Sequence, residues 1–204
     1  MLTQLFELTD TIEFEEDGWL TITSANWEGS NLILSIQVRV PGTFEKQFHI
    51  VCHQSRSHRI IALANDSLVL LSSDHVVLYP HNQKQGDLYF NGRPSDPLSL
   101  LGALVESHRA AVGTWFSVDH FLYLPGQPAD ILRGGYGLLA KGPVQLLATY
   151  ANVLDSYGIK HSLVDSHDPI RWNGEQRTTE TEELHALVIG DSFVVAPSFT
   201  ENVI

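Results

Sequence analysis

The segment NLILSIQVRVPGTFEKQFHIVCH, residues 31–53, decides the fold. Its first ten residues put Leu32, Leu34, Ile36, Val38 and Val40 on a single side, the period-two alternation of a half-buried strand. After Pro41-Gly42-Thr43 the alternation resumes, with Phe44, Phe48, Ile50 and Cys52 apolar and Glu45, Gln47, His49 and His53 polar. These faces fix the turn. A two-residue loop at Pro41-Gly42 sets Glu45 against Val38 and Gln47 against Ile36, because one step of register sends every side chain to the opposite face. A three-residue loop, Pro41 to Thr43, pairs Val40 with Phe44, Ile36 with Phe48, Leu34 with Ile50 and Leu32 with Cys52. It also sets Arg39 beside Glu45 as a favourable cross-strand pair. An antiparallel hairpin in this register is expected.

The same pleat bears on metal chemistry. The tract HIVCHQSRSHRI, residues 49–60, crowds three histidines and the single cysteine of the chain together. His49 and His53 share the wetter face, but four residues of strand separate them by about 13 Å, whereas two nitrogens on one zinc stand about 3–4 Å apart. Cys52 points into the expected core, where a thiol behaves as a small inert hydrophobe with a raised pKa. His58 lies beyond the turn-like QSRS. No metal site and no cofactor is expected from this tract.

Outward from the hairpin, WLTITSA places Leu20, Ile22 and Ser24 on one face against Trp19, Thr21 and Thr23. Further strands are expected at RIIALA, SLVLL and HVVLY, the last ended by Pro80. The stretch PHNQKQGDLYFNGRPSDP, residues 80–97, is rich in turn formers and marks the passage from a β-rich region, 1–85, to an α+β region, 86–204. These are two domains or one continuous domain, with DLYF as another short strand. Asp96 as N-cap, Pro97 at the first position and Gly113 at the end define a helix, with Leu98, Leu101, Val105, His108 and Val112 on one stripe. A second helix runs from Pro143 to Tyr157 before Gly158, whose left-handed conformation ends it.

Strand patterns then return at IKHSLV. RWNGEQ carries the Asn-Gly pair favoured in tight hairpins, and ELHALVIGDSFVVAPSF reads as two strands joined by Gly190-Asp191. In that last hairpin Leu187 faces Val194 and Val188 faces Phe193. It is apolar on both faces, which predicts a central place in a sheet covered on one side by helices. No internal repeat and no low-complexity tract interrupts the chain. The fold class is α+β: an antiparallel β-rich N-terminal half, then two principal helices packed on a sheet with a C-terminal β-hairpin.

The 204 residues, 43% apolar with nine Phe, six Tyr and four Trp, suffice for one large or two small cored domains. Twelve basic against twenty-four acidic residues give a net charge of −12, which repels nucleic acid and anionic membranes and attracts a basic protein partner. One cysteine, and a start without a basic region followed by an apolar one, lead us to expect a cytoplasmic protein. No apolar run approaches the roughly 18 residues needed to cross a bilayer.

RGGYGLLAKGP, residues 133–143, satisfies a G-x-G-x-x-[GA] spacing through Gly135, Gly137 and Ala140, but it follows a poor strand, and Gly142-Pro143 interrupts any helix begun at Gly137. A dinucleotide loop is rejected on that context. No G-x-S-x-G is present. The richest chemistry lies in ESHRAAVGTWFSVDHFLY, residues 106–123. It offers Glu106, His108, Trp115, Asp119, His120 and Tyr123, an acid/base pair among aromatic walls.

Two functional expectations follow. The first is a noncatalytic binding or protein-interaction domain that masks a basic partner. The second is a small-molecule-binding protein or hydrolase with a cleft formed by His108, Trp115, His120 and Arg133. The second requires His108 and His120 to reach one polar cavity.

Overall fold

The computed structural model describes residues 2–61, 63–72, 74–123 and 132–204. It is α+β, with antiparallel strand pairing throughout the named sheets. Strands β1 (Trp19–Glu28), β2 (Asn31–Val40) and β3 (Phe44–His53) are central in a five-stranded sheet. Its order is β14-β3-β2-β1-β5, where β5 is Ala64–Asn65 and β14 is Ser198–Val203. The β2–β3 register is the one the alternating faces require, with Val40 opposite Phe44, Ile36 opposite Phe48 and Leu32 opposite Cys52. Arg39 Nε stands 3.6 Å from Glu45 Oε2 across the strands. Cys52 is fully buried, and loss of water pushes its thiol pKa up to about 12.

Three local expectations change in this first sheet and its connections. In β1 the alternation holds only to Ile22. A bulge then leaves Thr23 as the extra residue and turns Ser24 to the outer face, where its hydroxyl meets that of Ser35 at 2.8 Å. RIIALA does not form one strand. The chain pairs at β4 (Ser57–Arg59) and again at β5, and between them the buried Ser192 hydroxyl holds both the N–H and the carbonyl of Ile61. HVVLYP is a 3-10 turn, Val76–Leu78, followed by a short helix α3 (Tyr79–Asn82). Pro80 has no N–H and suits the first turn of a helix. Val77 and Leu78 are buried, with the turn packed against the strands His185–Ile189 and Ser192–Ala196.

The C-terminal hairpin, β12 (His185–Ile189) and β13 (Ser192–Ala196), has the expected register, Leu187 opposite Val194 and Val188 opposite Phe193. It is central in a four-stranded sheet of order β4-β13-β12-β6, with β6 at Leu68–Ser72. One of its faces meets the five-stranded sheet. Leu187, Ile189, Val194 and Ala196 share one apolar cluster with Leu20, Ile22, Leu34, Ile36, Ile50 and Cys52, so the two sheets close on each other as a sandwich. A sheet removes apolar side chains from water as well as helices do, and the alternation of the hairpin is blind to which of them arrives.

Residues 181–204 therefore belong with residues 1–78 in one compact unit, and residues 79–180 form a second. The turn-rich stretch after residue 80 lies close to the chain's exit from the first unit. Its return has no comparable signal. Two short helices complete the first unit, α1 (Thr3–Thr9) and α2 (Ile12–Asp17). The Glu201 carboxylate on β14 accepts from the N–H groups of Gln4 (2.7 Å) and Leu5 (2.9 Å), two of the unsatisfied donors at the start of α1.

The second unit has a three-stranded sheet of order β8-β7-β9, from β7 (Gln85–Asn91), β8 (Tyr136–Pro143) and β9 (Lys160–His167). Helix α4 spans Pro97–Val112, α5 Val118–Phe121 and α6 Val144–Ser156. Helix α6 packs on all three strands, and α4 packs on α6. Asp96 caps α4 by accepting from Leu98 and Ser99 N–H. The buried stripe of α4 is Leu100, Leu104, His108 and Val112, whereas Leu98 is 64% exposed. His108 and Val112 were on the expected stripe; the rest of it is shifted, because Leu98 and Leu101 compete with Leu100 and Leu104 at equal hydrophobicity. Strands β10 (Ile170–Trp172) and β11 (Arg177–Thr179) form a hairpin closed by the Asn173 N–H donating to the Gln176 carbonyl at 3.1 Å, with Gly174 and Glu175 at its tip. Asn173 Oδ1 accepts from Glu175 and Gln176 N–H, so its side chain organises the turn. Gly137 and Ala140 lie within β8, and no turn opens there toward a helix. No helix among the described residues is long and apolar enough to cross a membrane.

The burial of Cys52 predicts its reactivity. At pH 8 a thiol reagent modifies the folded protein only as fast as the first unit opens, and in denaturant at the ordinary rate of a free thiol. Stopped-flow absorbance of the released chromophore measures both; rapid labelling of the native protein contradicts the core position.

Candidate functional site

The site is assembled in the second unit from α4, α5 and one end of the three-stranded sheet. His108 enters from the buried stripe of α4 and is 1% exposed. Its Nε2 lies 2.9 Å from the Phe116 carbonyl and its Nδ1 2.7 Å from the Tyr150 hydroxyl of α6. A carbonyl only accepts, so Nε2 carries the hydrogen and Nδ1 accepts from Tyr150. Burial raises the Tyr150 pKa, which keeps that hydroxyl a donor. Both ring nitrogens are thus committed to a link between α4, the Phe116 segment and α6.

His120 lies on α5. Its ring stacks on Phe116 at 4.7 Å between centroids and meets the edge of Phe121 at 4.6 Å. Loss of water against these rings lowers its pKa, the Asp119 carboxylate opposes the shift, and His108 adds to it. The Asp119 carboxyl is itself held below its ordinary value, first by a hydrogen bond from the Ser117 side chain.

The two histidines meet the same aromatic group, but they line different depressions. His108 borders a hollow of about 630 Å³ with Arg109, Gly113, Thr114, Phe116 and Ser117. His120 borders a groove of about 520 Å³ with Gln85, Asp87, Phe121, Lys141 and His167. Of the other expected cleft residues, Trp115 is half-buried and Arg133 exposed, and neither lines these two depressions. Glu106, Asp119 and Tyr123 are exposed.

The groove gathers residues that no local pattern brings together. Register sets Asp87 opposite Lys141 and Gln85 opposite His167, and Lys141 Nζ stands 3.5 Å from Asp87 Oδ1. His167 Nδ1 donates to the Asp168 carbonyl at 2.7 Å, which leaves Nε2 of the neutral ring as an acceptor. Phe121 reaches the groove because Gly142 has no side chain: a Cβ there would stand 2.6 Å from the Phe121 ring. The alternation of Asp87, Leu88, Tyr89 and Phe90 gives each residue its face, but only the pairing of β7 with β8 and β9 brings Lys141 and His167 beside them. The groove presents one ion pair, a ring acceptor and an aromatic wall, a set that can orient a small polar molecule. Among the described residues no three His, Cys, Asp or Glu side chains converge to hold a metal.

No protein-family model, no curated protein and no solved structure matches this chain.

Two outcomes follow. Replacing His108 with Leu costs about 2–4 kcal/mol in chemical denaturation, because the Tyr150 hydroxyl and the Phe116 carbonyl lose their buried partner. Adding Tyr150→Phe recovers part of that loss, since one stranded group is removed. For His120, a folded pKa below the unfolded value makes the neutral ring the form that folding prefers. Its contribution is complete above the unfolded pKa of about 6.5 and is lost as pH falls through the folded pKa. NMR titration of the imidazole then shows a midpoint below that value, and His120→Phe flattens the acid side of the stability profile.

Proposed function

We propose that this protein is a noncatalytic binding protein whose first unit docks a basic protein partner. One observation carries the reading: the acidic excess is not spread over the chain. Residues 1–78 and 181–204 hold fourteen acidic and four basic residues, whereas residues 79–180 hold ten and eight. Asp10, Glu13, Glu15, Glu16 and Asp17 are all exposed on and beside α2, with Ile12 among them 69% exposed. Charge of one sign at this density steers a basic surface toward the unit, and the exposed aliphatic side chain gives it something to bury on arrival. The committed ring nitrogens of His108 support the same reading, since that histidine serves the packing of the second unit. A single buried thiol suits a reducing compartment such as the cytoplasm.

The groove at His120 supports a second reading, a small-molecule-binding protein or hydrolase, through its ion pair and the ring of His167.

Affinity capture from native cells separates the two. The first reading expects a stoichiometric partner of high isoelectric point. Its affinity falls with salt and drops by about tenfold or more on combined Glu13→Lys, Glu15→Lys and Glu16→Lys substitution. A neutral partner, or affinity indifferent to those reversals, overturns it. Saturable NMR shifts confined to Gln85, Lys141 and His167 on adding a small ligand favour the second.

A further inference from the structure

We infer that β6 is a docking edge that takes an extended, basic-flanked segment of a partner protein as an additional strand. The inference rests on the interaction reading above and specifies how the partner is held. Strand β6 is the edge of the four-stranded sheet, and among the described residues no strand pairs with its outer side. Its sequence, Leu-Val-Leu-Leu-Ser, has no charge, no proline and no glycine. Among the described residues every other edge strand of three or more residues carries a charged residue: Glu201 in β14, Arg59 in β4, Lys141 in β8, Lys160 in β9, Arg171 in β10 and Arg177 in β11. Charged residues of that kind keep sheet edges from pairing with other chains, and β6 lacks them.

The backbone is set for addition. Gly190 N–H donates to Ser67 O at 3.2 Å, which marks Ser67 and Gly190 as a hydrogen-bonded pair. Alternation along the antiparallel ladder then gives Val69 and Leu71 to β12 and turns the N–H and C=O groups of Leu68, Leu70 and Ser72 to the open side. Val69 and Leu70, on opposite faces, are each 44% exposed, so an added strand covers apolar surface on both faces of the sheet.

Charge selects the occupant. Asp66 and Asp74, both exposed, bracket the strand with no basic residue between them. A second copy of this chain, paired antiparallel about Leu70, brings the Asp66 end of each strand to the Asp74 end of the other, and like charges brought together there disfavour pairing. A partner strand with an apolar middle and a lysine or arginine at each end meets both carboxylates.

The experiment uses the full chain and two fluorescein-labelled peptides of alternating valine and threonine, one closed by lysine at both ends and one by glutamate, read by fluorescence anisotropy. The lysine-ended peptide is expected to bind about tenfold or more tightly than the glutamate-ended one at low salt, the difference shrinking as salt rises. Leu70→Pro removes an outward N–H while leaving the bonds to β12, and abolishes binding. Combined Asp66→Lys and Asp74→Lys substitution, at exposed positions that folding tolerates, reverses the preference between the peptides. Equal binding of the two peptides, binding untouched by Leu70→Pro in a folded variant, or no binding at all overturns the inference. So does a concentration-dependent dimer abolished by Leu70→Pro, which assigns the edge to a second copy. If the edge fails these tests while a basic partner still responds to reversal of Glu13, Glu15 and Glu16, the docking reading stands without it.

Discussion

The pleat shared by β2 and β3 is the constraint from which the first unit is built. A strand has two faces, and a slip of one residue would carry Leu32, Leu34, Ile36 and Val38 from the core into water together. Such a slip strands several fully buried side chains, each favoured inside by roughly 1.5–3 kcal/mol, so the register has no near competitor. The neighbours inherit the choice. Phe199 lies opposite Cys52 because β14 must present its apolar residue to the same core, and Glu201, two positions on, is thereby placed at the first turn of α1.

That dependence explains which features were legible in the sequence. The β2–β3 register, the β12–β13 register and the caps of α4 are settled by residues close in sequence, through face alternation, an N-cap or a turn. What was not legible came from contacts made at a distance. The Ser192 hydroxyl breaks RIIALA from more than a hundred residues away, Val76–Leu78 curls to cover β12 and β13, and the stripe of α4 is chosen by what α6 offers it. One face of the C-terminal hairpin meets the first sheet, and α6 covers β7, β8 and β9. An apolar face records that it must be covered and not by what.

The candidate site divides along the same line. ESHRAAVGTWFSVDHFLY did hold the unusual chemistry of the second unit, but the pattern did not distinguish a histidine that spends both nitrogens on packing from one that faces a groove. His108 is bound to Phe116 and Tyr150, and the distinction lies in α6, forty-two residues further on. Lys141 and His167 reach the groove through strand pairing alone, so no spacing within either segment announces them. Charge was legible as a total and not as a distribution. The net of −12 gains meaning only once the chain is divided into its units.

The return of residues 181–204 to the first unit makes the second an insertion within the sandwich. A nascent chain leaving the ribosome can complete the inserted unit while the earlier sheet still lacks β12, β13 and β14. Until those last strands emerge, the apolar face of the first hairpin stays uncovered, at the stage when newly made chains most need shelter from aggregation.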